Sequence, residues 1–399
     1  MGHVWRRWHR HWHGACVAAL RSTRSPMDDV VHRTQPVLSR VYKWLVDRKR
    51  TRDARRPQRL GSPHVPVLSV GNVTFGGTGK TPCVQFLLAY VLKKQHAADD
   101  THVPLLLTRG YGDDEWRMLL HQFPAAKVAV GSDRVAAGAA KVKELDREGV
   151  ALRCVVVDDG FQQWRLARDL DIVMVDALHP LGNGRLLPWG SLRELPREAF
   201  ARADVVIVHH ANLLEDEKVK WLMEQIRVLL NPRRRPILAT SCMKAIHFAR
   251  TADMLAGAAR TRRSVETDPS CFKGRTVLVV CGVGNPESVA LVVKQVTPGA
   301  RVELEAFPDH HMFSRGDVRD VVDRARELQG NERLLVVTTE KDFARSPRAM
   351  EMLASEVDLR VLRCELELLH NREQVMQRID ATLGPDSVCS DHVDGTDTK

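Results

Sequence analysis

The chain has 399 residues, more than one ordinary domain uses, and 44% of them are hydrophobic, enough to bury a large core and exclude wholesale disorder. Its formal charge of +10 would suit a polyanionic partner, but residues 1–60 carry 15 Lys/Arg against 4 Asp/Glu, and the remaining residues carry 45 against 46. The body is therefore neutral and, at 5% aromatic, poor in base-stacking side chains, so nucleic acid is not expected as a partner.

Residues 1–27 hold five Arg, four His and no acid. That is the composition of a mitochondrial presequence, and residues 1–35 are read as a basic targeting or disordered extension. Residues 36–46, PVLSRVYKWLV, place Val37, Leu38, Val41, Trp44 and Leu45 on one helical face, followed by a basic run from Arg48 to Arg56. The pattern suits an interfacial helix on an anionic membrane surface, or equally a helix packed on the body with a solvated charged end. No run of about 18 apolar residues offers a membrane span. The eight cysteines form no CxxC pair, so neither a zinc site nor a disulfide framework is expected, and the compartment is read as reducing.

From Val65 onward, short apolar runs alternate with helical patterns. Strands are expected at 65–70, 103–108, 153–157, 171–175 and 203–208, with helices at 81–94 and 134–148 between them. The stretch NPRRRP at 231–236 reads as a boundary, and strands near 276–281, 301–306, 333–338 and 359–363 form a second series. The organisation expected is an α/β fold with mostly parallel sheet: one unit over 36–236, a smaller second unit over 237–384, and a disordered tail over 385–399.

The sharpest local signal is VPVLSVGNVTFGGTGKTP at 65–82, in which a strand enters a glycine-rich turn that opens a helix at Gly79-Lys80-Thr81. Glycines let backbone N–H groups wrap phosphate oxygens, the helix N-terminus adds its dipole, Lys80 reaches the terminal phosphates, and Thr81 offers a hydroxyl to Mg²⁺. The strict pattern has Gly six residues before the Lys, where Thr74 stands here. The strand 153–157 ends on Asp158 and Asp159, carboxylates at the ligand-binding edge of a parallel sheet and candidates for the metal. The Asn-Lys-x-Asp guanine reader of switch GTPases is absent, with Thr339-Glu340-Lys341-Asp342 only a distant echo. A P-loop switch or binding protein that phosphorylates nothing remains the alternative to a transfer enzyme.

Several motifs follow in order: GNVTFGGTGKTP, LTRGYG (107–112), DDGFQ (158–162), LARDLDIVMVD (166–176), GNGRLLPWGSLRE (182–194), CGVGNPES (281–288), FPDHHMF (307–313) and TTEKDFAR (338–345). Over roughly residues 36–380 the chain resembles the tetraacyldisaccharide 4′-kinases of lipid A biosynthesis. The resemblance implies ATP-dependent phosphorylation of the 4′-hydroxyl of a lipid A disaccharide 1-phosphate, with ATP and Mg²⁺ as cofactors. It further implies a peripheral membrane enzyme with a P-loop NTPase-like parallel-sheet domain, a smaller Rossmann-like α/β domain and a cleft between them; no obligate protein partner is expected. Its location would be mitochondrial in a eukaryote and the cytoplasmic face of the inner membrane in a bacterium.

Carried over by position, the resemblance assigns the phosphate loop to Gly76, Gly77, Thr78, Gly79, Lys80 and Thr81, and the metal to Thr81, Asp158 and Asp159. The family's base is an Asp of a Gly-Asp-Glu-Pro segment; here the segment reads Asp113-Asp114-Glu115-Trp116, which aligns Asp114 and leaves Asp113 as the alternative. Its partner is His310, with His311 as the alternative. A carboxylate is needed to take the proton of a weakly acidic hydroxyl, and an imidazole beside it can hold or relay that proton. Arg109, Gln162, Arg193 and Glu194 are assigned to the substrate, the arginines as phosphate grips. Gln163 stands where the family has His and carries no role. Gly282-x-Gly284 reads as a turn of the second domain, near the nucleotide.

Overall fold

The computed structural model describes residues 26–61, 63–98, 101–110, 113–255, 272, 274–329 and 334–384; of the extension expected over 1–35, residues 1–25 lie outside the described residues and 26–35 are helical, and the tail 385–399 also lies outside. The strands are β1 (Val67–Asn72), β2 (Val103–Thr108), β3 (Lys127–Val130), β4 (Leu152–Asp158), β5 (Leu170–Asp176), β6 (Val205–His209), β7 (Ile237–Arg250), β8 (Thr276–Cys281), β9 (Arg301–Ala306), β10 (Leu334–Thr339) and β11 (Leu359–His370). The helices are α1 (Pro26–Asp53), α2 (Lys80–Ala98), α3 (Asp113–Gln122), α4 (Arg134–Arg147), α5 (Pro196–Phe200), α6 (Asp216–Arg227), α7 (Thr251–Leu255), α8 (Pro286–Val296), α9 (Arg315–Gln329), α10 (Glu340–Arg345), α11 (Pro347–Glu356) and α12 (Arg372–Leu383).

All eleven strands form one sheet in the order β3-β2-β4-β1-β5-β6-β7-β11-β10-β8-β9. Every neighbouring pair is parallel except β7 with β11. β1, β5 and β6 are buried along their whole length and are rich in Val, Leu and Ile, as strands covered by helices on both faces must be. The parallel arrangement sends the C-terminal ends of β1, β4, β5 and β6 to one edge, where ligand sites of such sheets lie.

NPRRRP leads directly into β7, which the sequence pattern does not announce. Its first residues, Ile237–Thr240, pair parallel with β6, and Thr240–Arg250 pair antiparallel with β11. One strand thus welds the two series of strands together. The C-terminal helix α12 crosses back as well: Val375, Ile379 and Leu383 pack into the cluster of Val84, Leu87 and Leu88 from α2.

Helix α1 is packed against the body by its polar side. Ser39 Oγ donates to the Leu186 carbonyl (3.0 Å), Tyr42 Oη to the Arg193 carbonyl (2.9 Å), and Arg50 pairs with Glu198 (2.6 Å). Val37, Leu38, Val41, Trp44 and Leu45 are left 48–58% exposed on the opposite face. This inverts the usual amphipathic arrangement, in which the apolar face is buried.

Ile379 is fully buried in the core of the half it does not follow in sequence. Ile379→Ala is expected to cost about 2–4 kcal/mol of unfolding free energy, read as a lower urea midpoint at unchanged slope. A loss under about 0.5 kcal/mol would mean that α12 contributes nothing to that core.

Candidate active site

β1 delivers the chain into the turn 73–79, and α2 opens at Lys80. Asn72 Nδ2 donates to Thr78 Oγ1 at 2.9 Å and braces the turn from within. Gly79 has φ +85°, and a Cβ there would stand 2.4 Å from His209 Cδ2, so only glycine fits. The backbone amides of this turn and the start of α2 make a cradle for anionic oxygens.

Beside it, β4 ends on Asp158, in register with Val70 of β1, and the chain turns at Asp159 with φ +51°. Asp159 Oδ1 lies 3.4 Å from Lys80 Nζ and 2.6 Å from Arg193 Nη1. Burial pushes the Asp159 carboxyl up, but Lys80 and Arg193 outweigh it and hold it below the usual range. Burial lowers the Lys80 ammonium; Asp159 opposes that shift and Arg193 reinforces it. Thr81 stands on the first turn of α2, one residue after Lys80.

Arg193 is held from several sides. Its guanidinium lies 4.4 Å over the Phe75 ring and donates to Gln162 Oε1 at 3.3 Å. Gln162 Nε2 donates to the Asn72 carbonyl and to Glu194 Oε1, both at 2.9 Å, and the buried Glu194 carboxylate is forked by Arg202 at 2.7 and 3.0 Å. Gln162 and Glu194 therefore stand behind Arg193, not in the opening.

The other half faces this cradle with the turns that follow β8 and β9. The turn after β8 meets the phosphate loop so closely that a Cβ on Gly284 would lie 2.6 Å from the Gly77 nitrogen. Asn285 caps α8 and donates to Asp176 Oδ2 at 2.9 Å, while His210 Nδ1 lies 2.9 Å from Asp176 Oδ1. Burial opposes the charged form of Asp176, but His179 and His210 outweigh it and depress its pKa well below the usual range. After β9, His310 adopts φ +63°. His311 is turned to Asp317 (3.1 Å) and stacked on Phe307.

One cleft of about 710 Å³ is lined by Gly76, Gly77, Thr78, Gly79, Lys80, Thr81, Arg109, Asp158, Asp159, Arg193 and His310. Apolar side chains of Met243, Val289, Val292 and Leu362 also line it. Asp113 and Asp114 begin α3, but the Asp114 side chain lies outside the described residues; Trp116 and Leu119 of the same helix line the cleft. Arg134 and His209 also line it and carry no expectation from the sequence. Arg134 is buried at the start of α4 and donates to the Gly131 and Ser132 carbonyls (3.3 and 3.2 Å). An isolated Arg at a helix start, or a His at a strand end, reads as an ordinary residue until the topology gathers it. Among the five described non-glycine residues with left-handed backbone, Asp159, His210 and His310 line this cleft, the clustering expected where a site fixes strained backbone.

The family model of tetraacyldisaccharide-1-P 4′-kinase matches residues 32–384. A probable mitochondrial tetraacyldisaccharide 4′-kinase of Arabidopsis thaliana is 32% identical over 347 residues, covering 80% of this chain and 82% of that protein. A tetraacyldisaccharide 4′-kinase of Anaeromyxobacter sp. (strain K) is 32% identical over 341 residues, again covering 80% and 82%. The fold is similar to the crystal structure of LpxK from Aquifex aeolicus in complex with ATP, with a TM-score of 0.56 at 22% identity, covering 87% of this chain and 98% of that one.

His209 is fully buried, its Nδ1 2.9 Å from Ser241 Oγ. Burial, reinforced by His210 and opposed by Asp176, holds its pKa well below 6.5. The folded protein thus keeps His209 neutral where the unfolded chain protonates it, so this contribution to stability is present above about pH 6.5 and is lost as pH falls. The unfolding free energy of the wild type minus that of His209→Gln should rise with pH up to about 6.5, at up to about 1.4 kcal/mol per pH unit, and then level off. A difference independent of pH would contradict the buried neutral imidazole.

Proposed function

The chain belongs to the tetraacyldisaccharide-1-P 4′-kinase family, and from that premise we propose how its own residues perform the reaction. The enzyme transfers the γ-phosphoryl group of ATP to the 4′-hydroxyl of a tetraacyldisaccharide 1-phosphate, a step of lipid A biosynthesis. The observation that carries the residue assignments is the convergence of phosphate loop, strand-end carboxylates, arginines and His310 on one cleft.

The backbone of residues 76–81 and the start of α2 hold the β- and γ-phosphates, and Lys80 follows the charge onto the transferring group. Lys80 rests against Asp159 (3.4 Å) and is pre-aimed for that task. The apolar side chains lining the cleft receive the nucleotide base. Thr81, Asp158 and Asp159 supply hard oxygen donors that fit Mg²⁺, and they would hold it with phosphate oxygens and water completing the shell. Among the described residues no group of three His, Cys, Asp or Glu side chains is placed to hold a metal ion. When bound, Mg²⁺ would neutralise charge developing between the β- and γ-oxygens.

Asp114 takes the proton of the 4′-hydroxyl as the γ-phosphoryl group leaves ATP, and His310 is assigned as its partner. Arg109 and Arg193 grip the anionic substrate, while Gln162 and Glu194 keep Arg193 aimed. The exposed apolar face of α1, flanked by its basic residues, rests on an anionic membrane surface and gives access to a lipid substrate. Among the described residues no helix is long and apolar enough to cross a membrane. Residues 1–35 direct the chain to mitochondria, in line with the mitochondrial designation of the Arabidopsis relative.

In an assay with radiolabelled ATP and the lipid A disaccharide 1-phosphate, Lys80→Ala is expected to lose transfer by at least about 1,000-fold. Asp114→Ala is expected to lower kcat about 100-fold or more with KM for ATP within about twofold. Wild-type turnover by the first would sink the phosphate loop, and by the second would move the base to Asp113. Trp44→Ser/Leu45→Ser is expected to weaken sedimentation with vesicles of anionic phospholipid about tenfold while leaving folding intact. Unchanged vesicle binding would remove α1 from the membrane contact.

A further inference from the structure

The motif TTEKDFAR at 338–345 has no part in the chemistry above, yet its final residue reaches the histidine of the cleft. We propose that Arg345 is a positioning residue that fixes the ring of His310 as the Nε2–H tautomer, so that His310 does not itself take the proton. The proposal rests on the role given to His310 above.

The Arg345 side chain is almost wholly buried, 2% exposed. Its Nη1 donates to the Gly282 carbonyl (3.0 Å) and to Asp342 Oδ1 (3.3 Å), and its Nη2 stands 3.5 Å from His310 Nδ1. A guanidinium has only donors, so the imidazole nitrogen facing it is the acceptor and carries no proton. In the neutral ring the proton then sits on Nε2.

The frame behind this contact is shared. Asp342, fully buried, accepts from the Gly282 amide (3.1 Å) and from Thr339 Oγ1 (2.6 Å). The Gly282 carbonyl accepts both from Arg345 and from the His310 amide (3.2 Å). The backbone and ring of His310 are thus referred to the same peptide, and the motifs at 281–288, 307–313 and 338–345 meet in one network. The network also accounts for the left-handed backbone at His310 (φ +63°), a conformation that persists only when its surroundings hold it. On the other side of the ring, Nε2 lies 3.8 Å from Asp309 Oδ2.

A ring held this way has no vacant acceptor at Nε2, and it could be protonated at Nδ1 only by displacing Arg345. In the transfer step the hydroxyl O–H bond breaks as the new O–P bond forms and the bond from the γ-phosphorus to the leaving oxygen of ADP breaks. The proton ends on the carboxylate base proposed above, since His310 already carries its own proton on Nε2.

Two measurements test this. In the full chain with ¹⁵N-labelled histidine, the His310 ring, assigned by its loss in His310→Asn, should show an unprotonated Nδ1 and a protonated Nε2 at pH 7.5. A neutral ring protonated at Nδ1 would overturn the proposal, and this result needs no change to Arg345. In kinetics, Arg345→Met should lower kcat roughly tenfold with KM for ATP within twofold, and should have no further effect in a His310→Ala background. An equal loss in both backgrounds would show that Arg345 acts on the fold and not through His310. Full activity of His310→Ala alone would instead refute the role assigned to His310, leaving the ring measurement to decide the tautomer.

Discussion

The cleft depends on the close approach of two glycine turns. The phosphate loop at Gly77 and the strand-end turn at Gly284 come together so tightly that neither tolerates a Cβ without movement. Around that contact, Asn285 of one half donates to Asp176 of the other. The approach is available because a single sheet carries both halves, with β7 paired to β6 at one end and to β11 along the rest. Parallel strands on both sides of this weld bring their C-terminal turns together, so a phosphate cradle and a histidine turn separated by more than 200 residues line the same opening.

Charge in the cleft is arranged before any ligand arrives. Lys80, Arg193 and Asp159 form a compact set in which the carboxylate stays ionised despite burial. Arg193 is in turn stacked on Phe75 and backed by Gln162 and Glu194, so its orientation does not depend on the substrate. Catalysis of phosphoryl transfer consists largely of positioning and charge stabilisation, and side chains held in this way lose little freedom on binding.

Much of this was legible in the sequence, for physical reasons. Strands buried on both faces must be short apolar runs, and β1, β2, β4, β5, β6, β8, β9 and β10 could be located within a few residues. β3 spans only Lys127–Val130, too short to stand out, and β7 follows no single pattern, because its first half is buried and residues 243–247 are half-buried or exposed after a basic turn. The phosphate loop announces itself because its chemistry needs glycines and a lysine at fixed spacing. Arg134, His209 and Arg345 do not, because a single Arg or His acquires meaning only from what the topology sets beside it. The helix at 36–46 was legible as amphipathic but not in its orientation; Ser39, Tyr42 and Arg50 turn its polar side inward and leave the apolar side exposed.

The central claim is that this cleft delivers a phosphoryl group to a sugar hydroxyl and not merely to water. Phosphorus NMR of the lipid recovered after incubating the wild-type protein with ATP, Mg²⁺ and tetraacyldisaccharide 1-phosphate tests it most directly. The account predicts a second phosphomonoester resonance coupled to the 4′ proton, formed in step with ADP. Consumption of ATP to ADP and inorganic phosphate, with the lipid recovered unchanged, would contradict it.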